Sequence, residues 1–168
     1  MRRVLEYGLF FVIAVLLQIF LFNNLNLSLY LYPIVYIAPL LMLPSRTQPG
    51  MVLLCGLLVG VNVDLLSGSA GLNTIASLAT AFFRPMVMKA IIGNEEVKEG
   101  VIPSPARLGR SKTFRYLLLM SVIHCLVYFS FEAMTLKYFY LTLFRIVLSA
   151  SASAGLIYLT LLLFSRRK

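Results

Sequence analysis

Residues 84–115, RPMVMKAIIGNEEVKEGVIPSPARLGRSKTFR, carry seven of the chain's fifteen Lys and Arg and form its one long polar stretch. On either side the remaining cations alternate with apolar runs. Arg2 and Arg3 precede the first run, Arg46 stands in another basic gap, and Arg166, Arg167 and Lys168 follow the last run. The gaps at 23–26, 67–71 and 135–137 hold a single cation among them, Lys137, while Arg145 lies inside an apolar run. Membrane segments orient by keeping Lys and Arg in short cytoplasmic loops. Thirteen cations in one set of gaps against one in the other predicts six transmembrane helices with both termini in the cytoplasm.

The composition sets the class. Of 168 residues, 60% are hydrophobic and only 12% charged, and the mean hydropathy is +0.91. These values describe an all-α integral membrane protein with a single polytopic domain spanning 1–168. The net charge of +9 borders the spans, so it implies attraction to anionic inner-leaflet lipid and no nucleic-acid partner. The apolar stretch Val4–Phe22 is longer than a signal-peptide core, and Asn23-Asn24-Leu25-Asn26 follows in place of a small-residue cleavage site, so a retained helix is expected. Cys55 and Cys125 fall within spans and read as small apolar residues.

The expected helices cover about 4–22, 27–43, 51–66, 72–92, 116–134 and 138–164, with a cytoplasmic polar loop at 93–115. Pro33 and Pro39 should kink the second. Tyr30, Tyr32 and Tyr36 read as an interfacial aromatic belt near its outer end. The fourth is short: Leu72–Phe83 reaches only about 18 Å against a core of about 30 Å. Arg84-Pro85 interrupts it, and Arg84 is expected to snorkel to the inner surface. A re-entrant fourth segment would carry the cations of 93–115 to the outside, against the charge pattern.

Few residues suit chemistry. One histidine excludes a zinc His-Glu-x-x-His site within this chain, and Gly68-Ser69-Ala70-Gly71 lacks the order of a nucleophile elbow. No enzyme activity, cofactor or metal is expected. Gly56, Gly60 and Asp64 recur every four residues and share one helix face, a spacing that lets two helices approach closely. Asn62 points nearly opposite, so this helix is expected to be the most buried. Ser121, His124, Tyr128 and Glu132 form a stripe on the fifth helix, with His124 read as a neutral core residue. Arg145 lies within the sixth, ahead of a small-residue packing surface at Ser149–Gly155. An intramembrane cation needs a counter-charge, and by depth its candidates are Asp64 and Glu132. Asp64, Arg145, Glu132, His124 and Asn62 are thus expected as a buried polar cluster. Such a cluster either opens outward to receive something or merely holds the helices in register.

The segment Gly56–Leu72, with Gly56, Gly60, Asp64-Leu65, Gly68 and then Gly71-Leu72, resembles the signature of the rod shape-determining protein MreD family. Chain length and expected topology agree with that resemblance, although 93–115 is long for the family. The resemblance implies a non-enzymatic scaffold in the bacterial inner (cytoplasmic) membrane, without a cofactor, serving cell elongation and sidewall peptidoglycan synthesis. It implies as partners an MreC-like protein, the elongation synthase and transpeptidase and, indirectly, the actin-like MreB. It also implies a fold similar to the substrate-binding subunits of energy-coupling-factor transporters. A small-solute-binding transporter subunit is the alternative, although the first helix offers only Ala14 where an Ala-xxx-Ala docking face would be needed.

Overall fold

The computed structural model describes residues 2–22, 31–133 and 139–165. The expected turns at 23–26 and 135–137, Tyr30, and the cations Arg166, Arg167 and Lys168 lie outside the described residues. Helix α1 spans Arg2–Leu17 and runs into a π-helical turn, Gln18–Phe22. A non-helical stretch leads to the short α2, Ala38–Leu41, followed by α3, Pro49–Ser67, and α4, Leu72–Ile91. Two short helices, α5 (Asn94–Lys98) and α6 (Pro105–Leu108), precede α7, Arg110–Ala133, and α8, Phe139–Ser165.

Local chemistry accounts for the long boundaries. Pro49 occupies the first turn of α3, where its missing N–H costs nothing. Gly68 ends that helix at φ 66°, a left-handed cap that glycine adopts without strain. Gly71 starts α4 at φ 86°. Pro85 lies inside α4, yet the helix continues to Ile91.

Helix α4 packs between α3 and α7, and α7 packs against α8. Leu54, Leu58, Leu65, Phe82, Met86, Leu126, Phe144, Val147 and Leu159 face outward. Among the described residues, three helices, Pro49–Ser67, Arg110–Ala133 and Tyr140–Leu162, are long and apolar enough to cross a membrane. An all-helical bundle with an apolar exterior suits a membrane-embedded protein.

Four expectations are corrected here. The helix expected at 27–43 is interrupted: residues 31–37 are non-helical and only Ala38–Leu41 forms a helix. Pro33 has no N–H to donate and disfavours helix at Tyr32, whereas Pro39 is accommodated in the first turn of α2, where its missing N–H costs nothing. This stretch is the centre of the bundle, with Ile34, Tyr36 and Ile37 fully buried. Tyr36 is therefore a core residue and not part of an interfacial belt.

Secondly, Arg84 does not reach out. It is 2% exposed and donates from Nη2 to the Leu43 carbonyl. Nearby, the Tyr116 hydroxyl donates to the Leu41 carbonyl at 3.1 Å. The end of α2 is thus held by side chains of α4 and α7. Thirdly, α3 exposes Leu57, Leu58, Val61, Asn62, Leu65 and Leu66, so it is not the most buried helix.

Finally, 93–115 is more ordered than a polar loop. Helix α7 begins within it at Arg110, and Ser45 binds it twice, N–H to the Val101 carbonyl at 3.0 Å and hydroxyl to the Val97 carbonyl at 2.8 Å. Lys112 pairs with Glu96 at 2.8 Å. The hydrogen bond from Lys112 holds the Glu96 carboxyl below its ordinary range.

Candidate functional site

Asp64, near the C-terminus of α3, is 7% exposed. Its Oδ1 accepts from the Ser69 hydroxyl at 2.6 Å, the Asn73 N–H at 3.1 Å and the Asn73 amide at 2.9 Å. Its Oδ2 accepts from the Thr74 N–H at 2.8 Å and the Thr74 hydroxyl at 2.5 Å. Helix α4 starts at a glycine, which has no side chain to cap it. The preceding helix supplies the capping carboxylate instead. The free N–H groups and positive dipole end of a helix favour an anion there.

The glycines make this arrangement reachable. A Cβ on Gly60 would lie 2.4 Å from the Thr74 Cα and 2.9 Å from the Asn73 carbonyl oxygen. A Cβ on Gly56 would lie 2.9 Å from the Ala81 Cβ and 3.0 Å from the Ser77 carbonyl oxygen. Helix α3 therefore lies against the backbone of α4, and Asp64 is carried to its N-terminus. Gly68 and Gly71 turn the chain between the two. Gly56, Gly60, Asp64, Gly68 and Gly71 form one unit, a locked helical hairpin.

From this cap a polar chain enters the bundle. Asn73 donates its amide to Asp64 and to the Ser69 hydroxyl at 2.8 Å, leaving its Oδ1 to accept the Tyr36 hydroxyl at 2.9 Å. Tyr36 Oη also meets His124 Nε2 at 2.9 Å. His124 Nδ1 meets Thr80 Oγ1 at 3.0 Å, and Thr80 Oγ1 lies 2.7 Å from the Ala76 carbonyl oxygen. Asn73, Tyr36, His124 and Thr80 are at most 1% exposed. One connected network thus joins α3, α4, the non-helical stretch and α7.

The non-helical stretch has its own supports. Unpaired backbone groups are costly away from water. Tyr32 N–H donates to Ser149 Oγ at 3.0 Å, Ile34 N–H to Ser153 Oγ at 2.7 Å, and Val35 N–H to Gln18 Oε1 at 2.8 Å. Gln18 returns its amide to the Pro33 carbonyl at 3.0 Å. Side chains of α8 and of the π-turn thus replace the helical partners that this extended stretch lacks. The Ser149–Gly155 run, expected as a packing surface, is in part a backbone receptor.

The expected five-residue cluster divides. Arg145 pairs with Glu132 at 2.8 Å and not with Asp64, and the two side chains are 30% and 34% exposed. The Arg145 guanidinium also lies 4.6 Å from the centroid of the Phe129 ring. Tyr128, beside Phe129, stacks on Tyr32 with centroids 5.6 Å apart. Asn62 belongs to neither group. It is exposed and donates to the Leu58 carbonyl of its own helix at 2.7 Å. Helical spacing places Asn62 away from the Asp64 face, and among the described residues it is exposed there.

Sequence reasoning placed Tyr36 in an interfacial belt and did not single out Asn73, Thr74 and Thr80, nor Gln18 as a backbone acceptor. Asn73-Thr74 just after Gly71 is a helix-start signal that could have been read. No sequence pattern marks the distant pairing of Tyr36 with His124. Among the described residues, no group of His, Cys, Asp and Glu is arranged to hold a metal ion. Comparison with family models, curated proteins and solved structures yields no match.

Proposed function

We propose that this chain is a non-enzymatic scaffold of the bacterial cell-elongation machinery, held in the cytoplasmic membrane by six crossings with both termini inside. It binds an MreC-like protein and, through it, the synthase, transpeptidase and actin-like MreB of sidewall growth. One observation carries the reading. Five of the seven residues by which the chain resembles the MreD family, Gly56, Gly60, Asp64, Gly68 and Gly71, form a single physical unit, with each glycine at a close approach or positive φ and Asp64 capping α4. A family signature made of residues that build one hairpin supports descent of that hairpin and its neighbours together. The second crossing is the interrupted one. Extended backbone advances about 3.3 Å per residue against 1.5 Å in a helix, so residues 31–43 suffice for much of the depth.

A small-solute-binding transporter subunit is the second reading, because broken membrane segments often line binding sites. The N–H groups of Tyr32, Ile34 and Val35 are already taken by Ser149, Ser153 and Gln18. Their engagement by the fold supports the scaffold. Affinity purification of the tagged full-length chain from native membranes tests the choice. Co-purification of an MreC-like protein is the expected result. Recovery instead with a transporter's coupling ATPases would replace the scaffold reading with the second.

A further inference from the structure

The polar chain between Asn73 and Ala76 contains four contacts: Asn73–Tyr36, Tyr36–His124, His124–Thr80 and Thr80–Ala76. Each needs one hydrogen. Both ends only accept: the Ala76 carbonyl by its nature, and Asn73 Oδ1 because the amide nitrogen faces Asp64 and Ser69. Between them, the Tyr36 hydroxyl supplies one hydrogen, the Thr80 hydroxyl one, and a neutral imidazole one. Three hydrogens serve four contacts. One contact must lack its hydrogen, and where that gap lies is a state of the molecule.

The positions differ in cost. A gap at Asn73–Tyr36, Tyr36–His124 or His124–Thr80 sets lone pairs face to face at 2.9 or 3.0 Å in a buried site. A gap at Thr80–Ala76 costs less, because helix geometry already gives the Ala76 carbonyl a main-chain N–H. Thr80 then turns its hydrogen to Nδ1, and His124 carries its own on Nε2. Every donor now points one way: Thr80 to His124, His124 to Tyr36, Tyr36 to Asn73, Asn73 to Asp64. Aligned hydrogen bonds polarise one another, and these end on a carboxylate.

We propose that this chain is a two-state hydrogen-bond switch whose direction is set by the charge on Asp64 and registered as the tautomer of His124. With the carboxylate present, the gap rests at Thr80 and the chain ties the N-terminus of α4 to Tyr36 and α7. With that charge removed, the alignment toward a carboxylate is lost and only the lower cost of the gap at Thr80–Ala76 still favours this direction. His124 then also takes the Nδ1–H form bonded to Thr80, and the gap moves to Tyr36, loosening the tie. The switch is independent of the scaffold reading.

His124 is the only histidine, so the full-length chain labelled with 15N-histidine in lipid nanodiscs gives one imidazole spectrum. At neutral pH the expected spectrum shows a protonated Nε2 and a bare Nδ1. Tyr36→Phe removes the acceptor at Nε2 and should convert the ring to Nδ1–H. Thr80→Val should leave the Nε2–H form in place. Asp64→Asn should give a mixture of both tautomers. A native ring that is Nδ1–H or doubly protonated overturns the proposal, as does an unchanged tautomer in Tyr36→Phe. An unchanged tautomer in an Asp64→Asn chain that accumulates overturns control by the carboxylate. Where Asp64→Asn does not accumulate, the two near-isosteric variants decide whether the direction is as inferred.

Discussion

Asp64 accepts five hydrogen bonds, all from the turn and first residues of α4. None of them comes from a cation. Its charge is met by aligned N–H groups and hydroxyls, and Arg145 is left to Glu132. This division predicts different couplings. Arg145→Gln and Glu132→Gln should be non-additive by about 0.5–3 kcal/mol, since each removes the other's partner. The half-exposed geometry favours the lower part of that range. Arg145→Gln combined with Asp64→Asn should instead be additive. Thermal unfolding of the two double-mutant sets in one detergent measures both, and coupling of Arg145 to Asp64 alone would reverse the assignment.

Two elements work in ways that their composition alone does not announce. The α3–α4 hairpin depends on the absence of side chains at Gly56 and Gly60, whereas Gly155 in α8 has nothing within 4 Å of a built Cβ. Gly60→Ala should therefore cost about 1–3 kcal/mol by forcing the helices apart, and Gly60→Leu should abolish accumulation. Gly155→Ala should be neutral or add about 0.5–1 kcal/mol of stability, as alanine suits a helix interior better. Unfolding midpoints of purified variants compare them directly. Equal tolerance at both positions would mean that α3 does not approach α4 as described. The stretch at 31–37 is the converse case. It stays non-helical with Pro33 disfavouring helix at Tyr32 and three side-chain oxygens accepting its N–H groups.

At the scale of the whole molecule, the proposed topology puts the α3–α4 turn outside and the 44–48 turn with 93–115 inside. The inner end is then basic and tightly tied, through Ser45, Val97, Val101, Glu96 and Lys112. Reporter fusions placed after Lys168 and between Glu99 and Pro103 should both give cytoplasmic signals. An external signal from the second would revive a re-entrant α4 and cancel the six-span arrangement. Arg84, buried against the Leu43 carbonyl, ties α4 to the same inner end.

Apolar run lengths, glycine spacing and cation placement sufficed to read an all-helical membrane protein, the long helices α3, α4, α7 and α8, and the close face of Gly56, Gly60 and Asp64. These follow from local rules: helical period, hydropathy and the absence of a Cβ act within a few residues of one another. The fate of the polar groups was decided elsewhere. Whether Asp64 met Arg145 or the start of α4, whether Tyr36 faced lipid or His124, and whether Ser149 and Ser153 packed or received hydrogen bonds all depended on residues far along the chain. A buried polar group goes wherever a partner completes it. Its partner is chosen by the packing of whole helices, a quantity that no local stretch of sequence contains.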